Sequence, residues 1–250
     1  MFSLLLRHDP AAQDLLSAEL MEAGSVGIAE EPDGLRAFFE DGIDTTAMAA
    51  RFAQYHPELR IEADIDWEQE TRDAWPPLLV GSRFFLVPPW RDEAAPAGRI
   101  RLEVNPGMAC GTGWHPCTQL CLAALEGHVR PGARVLDVGC GSGILFLAAA
   151  LLGAGLVIGC DIDLEAVMVA RERIACPLFA GSIDAIQSDS MDVIVANVSA
   201  MVAQELASEF SRVRRLGSTL ILSGFTESER IHGFEVKAWT SSKEWLCAVC

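Results

Sequence analysis

The sequence predicts an α/β fold: a parallel sheet covered by helices, preceded by a smaller α+β domain. From residue 118 onward, apolar runs of strand length alternate with longer helical patterns, which is typical of parallel strands joined by helices. Before residue 66, short strand and helix patterns alternate in the order β-α-β-β-α-β. This order is the split βαβ arrangement of ferredoxin-like domains.

The smaller domain is predicted to occupy residues 1–65. Gly24 ends its first helix, and a Glu-Pro-Asp-Gly turn at 31–34 separates its second and third strands. Its strand, helix, two strands, helix and strand are predicted at 2–7, 10–23, 26–30, 35–40, 44–55 and 59–65. The polar stretch that follows carries two tryptophans and stops at a proline pair, which predicts a linker helix at 66–76.

The larger domain is predicted to occupy residues 77–250. Its predicted strands lie at 83–88, 100–104, 134–138, 156–160, 178–180, 192–196, 218–222, 234–240 and 245–249. Its predicted helices lie at 118–127, 144–152, 164–174 and 201–214, the third of them with Asp163 as N-cap. The last two strands are expected to be antiparallel, because only a four-residue loop joins them.

A strand, a glycine turn and a helix follow one another in the middle of the chain. The strand at 134–138 and the helix that begins at Ile144 flank Gly139, Gly141 and Gly143. Glycines in such a turn let the backbone approach a ligand closely. This pattern predicts a nucleotide-type binding site, and an α/β turn without a ligand is the alternative.

Asp161 ends the next apolar run, where it can accept hydrogen bonds from two ribose hydroxyls. The glycine spacing is G-x-G-x-G, whereas the dinucleotide fingerprint G-x-G-x-x-G needs a glycine at the position of Ile144. A ligand with a ribose but without a pyrophosphate therefore fits better than NAD. We expect S-adenosyl-L-methionine as the cofactor, with Gly139, Gly141 and Asp161 among its contacts.

Two further segments carry residues suited to a site. Asn197 follows the strongest late strand, and ligands of open α/β sheets bind beyond the carboxyl ends of strands. We therefore expect Asn197 in the same crevice as Asp161, and the alternative is that it caps the next helix. The turn-rich loop at 105–118 carries Met, Trp and His, which is typical of a binding loop or lid; a plain covering loop is the alternative.

Composition narrows the class of protein. Half of the 250 residues are hydrophobic, yet no apolar stretch approaches the ~20 residues of a membrane span, and we identify no signal peptide. Cys110, Cys117 and Cys121 lack zinc-type paired spacing, and the C-x-x-C of Cys247 and Cys250 lies in a terminal strand pattern rather than before a helix. We therefore expect buried thiols in a reducing cytoplasm and no metal site. The net charge of −16 disfavours nucleic acid and favours a basic protein as partner, although solubility alone is an alternative explanation.

Four segments together resemble the ribosomal protein L-eleven methyltransferase family. The family's consensus is close to G-x-A-F-G-T-G-x-H-x-T-T, V-L-D-V-G-C-G-S-G-I-L, D-I-D and A-N-I-L-A. The matching segments are Pro106 to Thr118, Val135 to Gly143, Asp161-Ile162-Asp163 and Asn197. The N-terminal pattern and the stretch 66–90 resemble the family too, so the likeness covers nearly the whole chain.

The resemblance implies a Rossmann-like class I methyltransferase domain behind a substrate-recognition domain at 1–65. It implies transfer of methyl groups from S-adenosylmethionine to lysine ε-amines and the N-terminal amine of ribosomal protein L-eleven. Carried over by position, the cofactor contacts are Thr118, Gly139, Asp161 and Asn197. In this picture the Thr118 hydroxyl faces the methionine end, and Asn197 lies near the sulfonium and the incoming amine.

The sequence also departs from the family pattern. Cys117 stands for the first Thr of the T-T pair, and Ser199 stands for Leu in A-N-I-L-A. The stretches 173–192 and 224–234 are shorter than in the family. The second contraction leaves little room for a helix between the fifth and sixth strands of the sheet.

Methyl transfer needs a neutral amine, whereas a free lysine has a pKa of about 10.4. His115 is a candidate base, and a structural histidine in the loop is the alternative. Asn197 is a candidate for orienting the amine by hydrogen bonds. We therefore predict Asn197 and His115 as the catalytic residues, with no metal required.

Other functions remain open from the sequence. A methyltransferase of amide or base nitrogen would carry an N-P-P-Y type element, where this chain has Asn197 followed by Val-Ser-Ala. The remaining alternatives are a methyltransferase for another protein or a small-molecule amine, and a non-catalytic S-adenosylmethionine-binding protein. We expect a cytoplasmic monomer that binds neither nucleic acid nor a membrane.

Overall fold

The computed structural model describes residues 1–8, 12–62, 73–105, 113–171 and 177–250. They form two compact units, Met1–Asp73 and Ala74–Cys250. Most of the predicted linker helix at 66–76, and half of the loop at 105–118, lies outside the described residues.

The first unit is a four-stranded sheet with two helices. Its strands lie in the order β2-β3-β1-β4, and every neighbouring pair is antiparallel. The element order is the β-α-β-β-α-β order predicted from the sequence. The elements are β1 (Phe2–Leu6), α1 (Gln13–Glu22), β2 (Gly27–Glu31), β3 (Gly34–Phe39), α2 (Thr45–Arg51) and β4 (Glu58–Ile61).

Apolar side chains from the strands and from α1 form the core of the first unit. Leu4, Leu6 and Phe39 are buried in one cluster with Leu16 and Leu20. Leu16 and Leu20 are four residues apart, so they lie on the same face of α1. This helix therefore packs through one apolar stripe. Of the residues that the sequence offers for its buried side, Leu15 and Met21 are instead exposed.

The second unit contains a seven-stranded sheet in the order β10-β9-β8-β11-β12-β14-β13. The pairs from β10 to β12 are parallel, and β14 is antiparallel to both β12 and β13. Its strands are β8 (Arg134–Val138), β9 (Leu156–Asp161), β10 (Leu178–Ala180), β11 (Met191–Asn197), β12 (Arg214–Thr226), β13 (Ala238–Ser242) and β14 (Trp245–Val249). The predicted α/β class is thus confirmed.

Helices and a small second sheet complete this unit. The helices are α3 (Pro116–His128), α4 (Ile144–Leu151), α5 (Leu164–Arg171), α6 (Ala200–Glu205) and α7 (Ala207–Val213). The small sheet consists of β5 (Leu78–Val80), β6 (Phe84–Val87) and β7 (Ile100–Glu103). The sequence did not predict β5, which is only three residues long.

Alternate residues of the central strands enter two separate cores. Val135 and Val193 belong to the cluster that includes α3 and α4, whereas Leu136 and Ile194 belong to the cluster that includes α7. Side chains of a strand alternate between its two faces, so the sheet is covered on both sides. This explains why the central strands are nearly continuous apolar runs.

The chain order creates a crevice beside the central strand β8. From β8 the chain moves outward through β9 to β10, and then returns to β11 on the other side of β8. Loops that leave neighbouring strands in opposite directions open a gap at the carboxyl ends, where ligands bind in such sheets. The residues that follow β8, β9 and β11 all border this point.

The structure differs from the sequence-based elements in several further places. The strand predicted at 234–240 begins only at Ala238, and the helix predicted at 44–55 ends at Arg51 and is followed by a 3₁₀ turn. The predicted helix at 201–214 is two helices, because Leu206 leaves the helical conformation (φ −88°, ψ 4°) and packs against a core cluster. The predicted strand at 218–222 runs from Arg214 to Thr226, because it pairs with both β11 and β14. The final hairpin is antiparallel as predicted, but its turn is Lys243 and Glu244 alone, since Ser242 pairs with Trp245.

The described parts of the two shortened segments contain no α-helix. Residues 177–190 hold β10 and the short 3₁₀ turn Ile183–Ala185, and residues 227–237 hold only the 3₁₀ turn Glu227–Glu229. Among the described helices, none combines the length and the apolar character that a bilayer span requires. Between β12 and β13 there is thus no α-helix, as expected from the shortness of that stretch.

Candidate active site

Hydrogen bonds tie the glycine turn after β8 to the end of β9. The N–H of Gly141 donates to Oδ2 of Asp161 at 2.9 Å, and the N–H of Gly139 donates to the Cys160 carbonyl at 2.8 Å. Gly139 and Gly141 have φ of 69° and 48°, a region that favours glycine. A Cβ on Gly139 would lie 2.8 Å from a methyl carbon of Val198, so this position has no room for a side chain.

Asp161 has acceptor capacity left for a ligand. Its Oδ1 accepts a hydrogen bond from the N–H of Asp163 at 3.0 Å, and its Oδ2 accepts the one from Gly141. A carboxylate offers about four lone-pair sites, so about two stay available. Two ribose hydroxyls can donate to these, as the sequence predicts. The structure thus brings Gly139, Gly141 and Asp161 together at one point.

A cavity of about 460 Å³ opens beside this carboxylate. Its volume lies within the range of about 300–1,000 Å³ that is usual for small-molecule and cofactor sites. A carboxylate at one place and apolar walls elsewhere fit the ribose and the base of an adenosine group. The cavity is lined by Val138, Gly139, Cys160, Asp161, Ile162, Gly181, Ser182, Val198, Ser199, Val202, Glu205 and Leu206.

Ile162 is a cavity residue that sequence reasoning missed. Its side chain is 86% exposed, although it is large and apolar. It directly follows Asp161 and lines the cavity with Val202 and Leu206, so it offers a surface that a planar base can cover. The signal was present in the sequence, since an isoleucine between two aspartates after a strand has no core to enter.

Asn197 and Thr118 meet at the same edge of the sheet. Asn197 ends β11, Thr118 lies in the first turn of α3, and the Asn197 Nδ2 donates to the Thr118 Oγ1 at 3.3 Å. Thr118 is almost fully buried. Among the described residues, none donates a hydrogen bond to the Oδ1 of Asn197, so this atom is available as an acceptor. The next residue, Val198, contacts the position of Gly139, so this pair borders the glycine turn.

Two caps settle alternatives that the sequence left open. The helix after β11 is capped by Ser199, whose Oγ accepts a hydrogen bond from the N–H of Val202 at 3.4 Å. The alternative role of Asn197 as that cap is therefore wrong, because Ser199 is the residue that begins α6. Asp163 caps α5 as predicted, through a 2.8 Å bond from the N–H of Glu165.

His115 occupies the N-cap position of α3. Its Nδ1 accepts a hydrogen bond from the N–H of Cys117 at 3.4 Å, and its ring packs edge-on against Trp245 with 4.7 Å between centroids. These contacts support the structural alternative for this histidine. The structure does not join it by a hydrogen bond to Asn197 or Thr118 in the described part of the chain.

A buried carboxylate lies under the glycine turn. Asp137 is 1% exposed, its Oδ2 accepts the N–H of Phe146 at 2.9 Å, and no described residue donates to its Oδ1. Desolvation raises the pKa of Asp137 to about 7; the Phe146 hydrogen bond opposes this shift, and the charge of Asp161 adds to it. Sequence reasoning missed Asp137, because it treated this position only as part of a strand.

The cysteines near the turn have unreactive, protonated thiols. Cys140 and Cys160 are buried and free, and desolvation raises the pKa of Cys160 to about 12 and that of Cys140 further still. A thiol that stays protonated is a poor nucleophile and a poor metal ligand. The six described cysteines are all free and buried, as expected for structural thiols.

The parallel sheet with an antiparallel β14, the glycine turn after β8 and the carboxylate after β9 define a class I S-adenosylmethionine-dependent methyltransferase. S-adenosylmethionine is the cofactor of this class, and the cavity beside Asp161 fits its adenosine part. A family model described as "Ribosomal protein L11 methyltransferase (PrmA)" matches residues 34–250. The chain belongs to this family, which confirms the resemblance drawn from its motifs.

Individual relatives agree with this assignment. The ribosomal protein L11 methyltransferase of Burkholderia lata is 32% identical, with 94% of this chain and 92% of the relative covered. That of Cupriavidus necator is 36% identical over 76% of this chain, and the chain spans about two thirds (66%) of its length. A crystal structure of the ribosomal protein L11 methylase from Lactobacillus delbrueckii subsp. bulgaricus matches with a TM-score of 0.62 and 26% identity, covering 69% of this chain and 95% of that one.

We predict that Asp161→Ala weakens binding of S-adenosylmethionine by about tenfold or more. Two ribose hydroxyls lose a charged acceptor, and each such hydrogen bond contributes about 1.5–3 kcal/mol. Isothermal titration calorimetry measures the change, with Asp163→Asn as a control that removes a neighbouring charge. NADH should not bind measurably. Unchanged affinity in Asp161→Ala, or tight binding of NADH, would contradict the assignment of this carboxylate.

We predict that Asp137→Asn flattens the pH dependence of the stability of the second unit. In the folded state the pKa of Asp137 is about 7, above the value of about 4 in an unfolded chain. The folded state therefore holds this proton more tightly, and the free energy of unfolding contributed by Asp137 falls as the pH rises from about 4 to 7. Calorimetric scans between these pH values should show a steeper loss of Tm in wild type than in Asp137→Asn. Parallel profiles would show that the carboxyl titrates normally.

Proposed function

We propose that this chain transfers methyl groups from S-adenosylmethionine to ribosomal protein L11, with lysine ε-amines and the N-terminal amine as acceptors. The observation that carries the proposal is the pairing of Asn197 with Thr118 beside the glycine turn and Asp161. The glycine turn and Asp161 would hold the adenosine part, and Asn197 and Thr118 would lie where the nucleophile enters. The names of its relatives support L11 as the protein that is methylated.

The cofactor would be held by backbone and side chains of three loops. Asp161 would accept from the ribose hydroxyls, the Gly139 turn would leave space for the ligand, and Ile162 would cover the base. When bound, S-adenosylmethionine supplies an electrophilic methyl group on a sulfonium. What the protein must add is a position and a protonation state for the attacking amine.

Asn197 is suited to orient that amine. Its Nδ2 donates to the Thr118 Oγ1, which fixes the plane of the amide and leaves Oδ1 as an acceptor. An amine N–H that donates to Oδ1 keeps its lone pair free to attack in line. Holding the two reacting groups in this geometry can supply about 7–11 kcal/mol of the barrier reduction.

The protonation state would be set by desolvation. An ammonium group that enters a cavity with apolar walls loses hydration, which lowers its pKa from about 10.4 and favours the neutral form. His115 caps α3, so we assign it a positioning role for the first turn that carries Thr118. Of the two roles that the sequence leaves open for His115, base or structural histidine, we therefore propose the structural one.

The first unit is proposed to recognise the protein substrate. It has its own sheet and core, and every residue assigned above to the cofactor or the amine lies in the second unit. A net charge of −16 suits a basic protein partner, and it disfavours direct binding of nucleic acid. We propose that the enzyme acts as a monomer in the cytoplasm, where ribosomal proteins are made.

Turnover with radiolabelled S-adenosylmethionine tests the proposal against its alternatives. Label should enter purified L11 and reach it faster than it reaches other basic proteins or free lysine. Label in free amines but not in L11 would favour a small-molecule methyltransferase. Cofactor binding without any transfer would favour a non-catalytic binding protein.

We predict that Asn197→Ala lowers kcat by a factor of about ten or more, which corresponds to roughly 1.4 kcal/mol or more of barrier. The amide acts mainly on the transition state, so the cofactor Kd should change less than kcat. Single-turnover methylation and thermal unfolding should be measured on the same variant. Thr118→Ser and Thr118→Val form a matched pair, in which only the second should also lower kcat. Full activity in Asn197→Ala would refute the catalytic role.

We predict that a truncated protein that begins at Trp75 keeps its cofactor affinity and loses methylation of L11. The break falls beside the boundary between the two compact units, so the second unit keeps its core. Calorimetry with S-adenosylmethionine and methylation of intact L11 provide the two readouts. Methylation of intact L11 at the full-length rate would show that the first unit is not the recognition domain.

A further inference from the structure

A second groove adjoins the cofactor cavity. It measures about 680 Å³ and shares Ser199 and Glu205 with the cavity, so the two spaces adjoin at these residues. It lies between α6 and the segment after β12, at the sheet edge where Asn197 ends β11. The groove is lined by Ser199, Ala200, Met201, Gln204, Glu205, Ser228, Glu229, Arg230 and His232.

The wall formed after β12 is fixed to the rest of the unit. Ile231 is buried in a core cluster, and the Glu229 Oε2 accepts hydrogen bonds from the N–H and the Oγ1 of Thr226 in a capping box. The opposite wall presents Met201, which is 66% exposed. The groove therefore combines a preformed polar side with an apolar one.

Its charges are negative once internal pairs are counted. The Arg230 guanidinium pairs with Glu227 at 3.0 Å and stacks on Trp239 at 4.3 Å from the ring centroid, so its charge is already compensated. Glu205 is exposed, ends α6, and has no ion pair or hydrogen bond within the described part of the chain. An uncompensated carboxylate therefore stands at the junction of the groove and the cofactor cavity.

We infer that this groove binds the segment of the protein substrate that flanks the acceptor amine, and that Glu205 selects a segment with positive charge. The inference rests on the proposed function, which requires a lysine-bearing chain to reach Asn197. A lysine flanked by aliphatic residues matches the wall formed by α6, since Met201 can contact the aliphatic part and Glu205, one turn further along the same helix, can contact the ammonium of a neighbouring lysine. Glu205 is thus a specificity residue, distinct from the residues that hold the reacting atoms.

Equilibrium binding of short peptides tests this assignment without methyl transfer. The probe is a blocked, fluorescent pentapeptide of alternating lysine and leucine, and its counterpart carries glutamate for lysine. The full-length protein is saturated with S-adenosylhomocysteine, the demethylated product. Glu205→Gln should weaken binding of the lysine peptide by about fivefold at low salt. The loss of affinity should be smaller at high salt, because the ion pair between Glu205 and the peptide lysine is exposed. Glu235→Gln removes an exposed carboxylate outside the groove and should change nothing.

Charge reversal guards against a trivial loss of fold. Glu205→Lys places a cation at the C-terminus of a helix, where it is well tolerated, and should shift the preference from the lysine peptide to the glutamate peptide. Damage to the structure cannot produce this reversal. Equal binding of both peptides by wild type, or identical binding by wild type and Glu205→Gln, would overturn the inference.

Kinetics with L11 separate this inference from the proposed function. Glu205→Gln should raise KM for L11 about fivefold and should change kcat and the cofactor Kd by a smaller factor, because the binding that is lost is the same in the ground and transition states. If wild type does not methylate L11, the proposed function fails, while the peptide experiment still decides the role of Glu205. If wild type is active and the KM is unchanged in Glu205→Gln, the groove is not where the substrate binds. A weaker cofactor Kd that accounts for the whole change would reassign Glu205 to the cofactor cavity.

Discussion

The hydrogen bond from the Gly141 N–H to the Asp161 carboxylate joins the loops of two neighbouring parallel strands. It lies beside the crevice, on the β9 side of the central strand β8. The turn can reach the carboxylate only because its glycines adopt positive φ, and because Gly139 has no side chain to collide with Val198. The same carboxylate keeps lone pairs that can accept from a ribose, so one group shapes the turn and remains available to a ligand.

The rest of the site is arranged around this junction. Val198 packs over Gly139, which places the preceding residue, Asn197, at the rim, and Asn197 is held by Thr118 from α3. His115 caps the start of that helix, and Thr118 lies in its first turn. Beneath the turn, the buried Asp137 accepts the Phe146 N–H in the first turn of α4. The contacts thus connect the ends of the strands to the glycine turn and to the first turns of α3 and α4. The first turn of α3 carries Thr118 and is capped by His115, and the first turn of α4 carries Phe146, which donates to Asp137.

Much of this could be predicted from the sequence, for physical reasons. A glycine turn between a buried strand and a helix has few uses, and an aspartate at the end of the next parallel strand must lie beside it. The spacing alone therefore predicts that Gly141 and Asp161 lie close together. The strand patterns likewise predicted that the chain divides into two units. Strands of a buried parallel sheet are nearly continuous apolar runs, whereas strands of a half-exposed antiparallel sheet alternate between apolar and polar residues.

Other features depend on contacts that no local pattern contains. Asn197 and Ser199 are both good caps, and only the end of β11 determines that Ser199 caps α6. The break at Leu206 follows from packing against the core, and the length of β12 follows from pairing on both sides. From the sequence, Glu205 is an ordinary surface residue of a helix. Only the fold shows that it lines both the cofactor cavity and the neighbouring groove.

The central claim is that the Asp161 carboxylate binds the ribose hydroxyls of the cofactor, and a thermodynamic cycle tests it most directly. The Kd of S-adenosylhomocysteine and of its 2′,3′-dideoxy analogue should be measured on wild type and on Asp161→Asn. The account predicts that wild type loses about tenfold or more in affinity for the dideoxy ligand, whereas Asp161→Asn distinguishes the two ligands much less. Equal discrimination by both proteins would mean that the carboxylate and the hydroxyls do not interact, and would contradict the account.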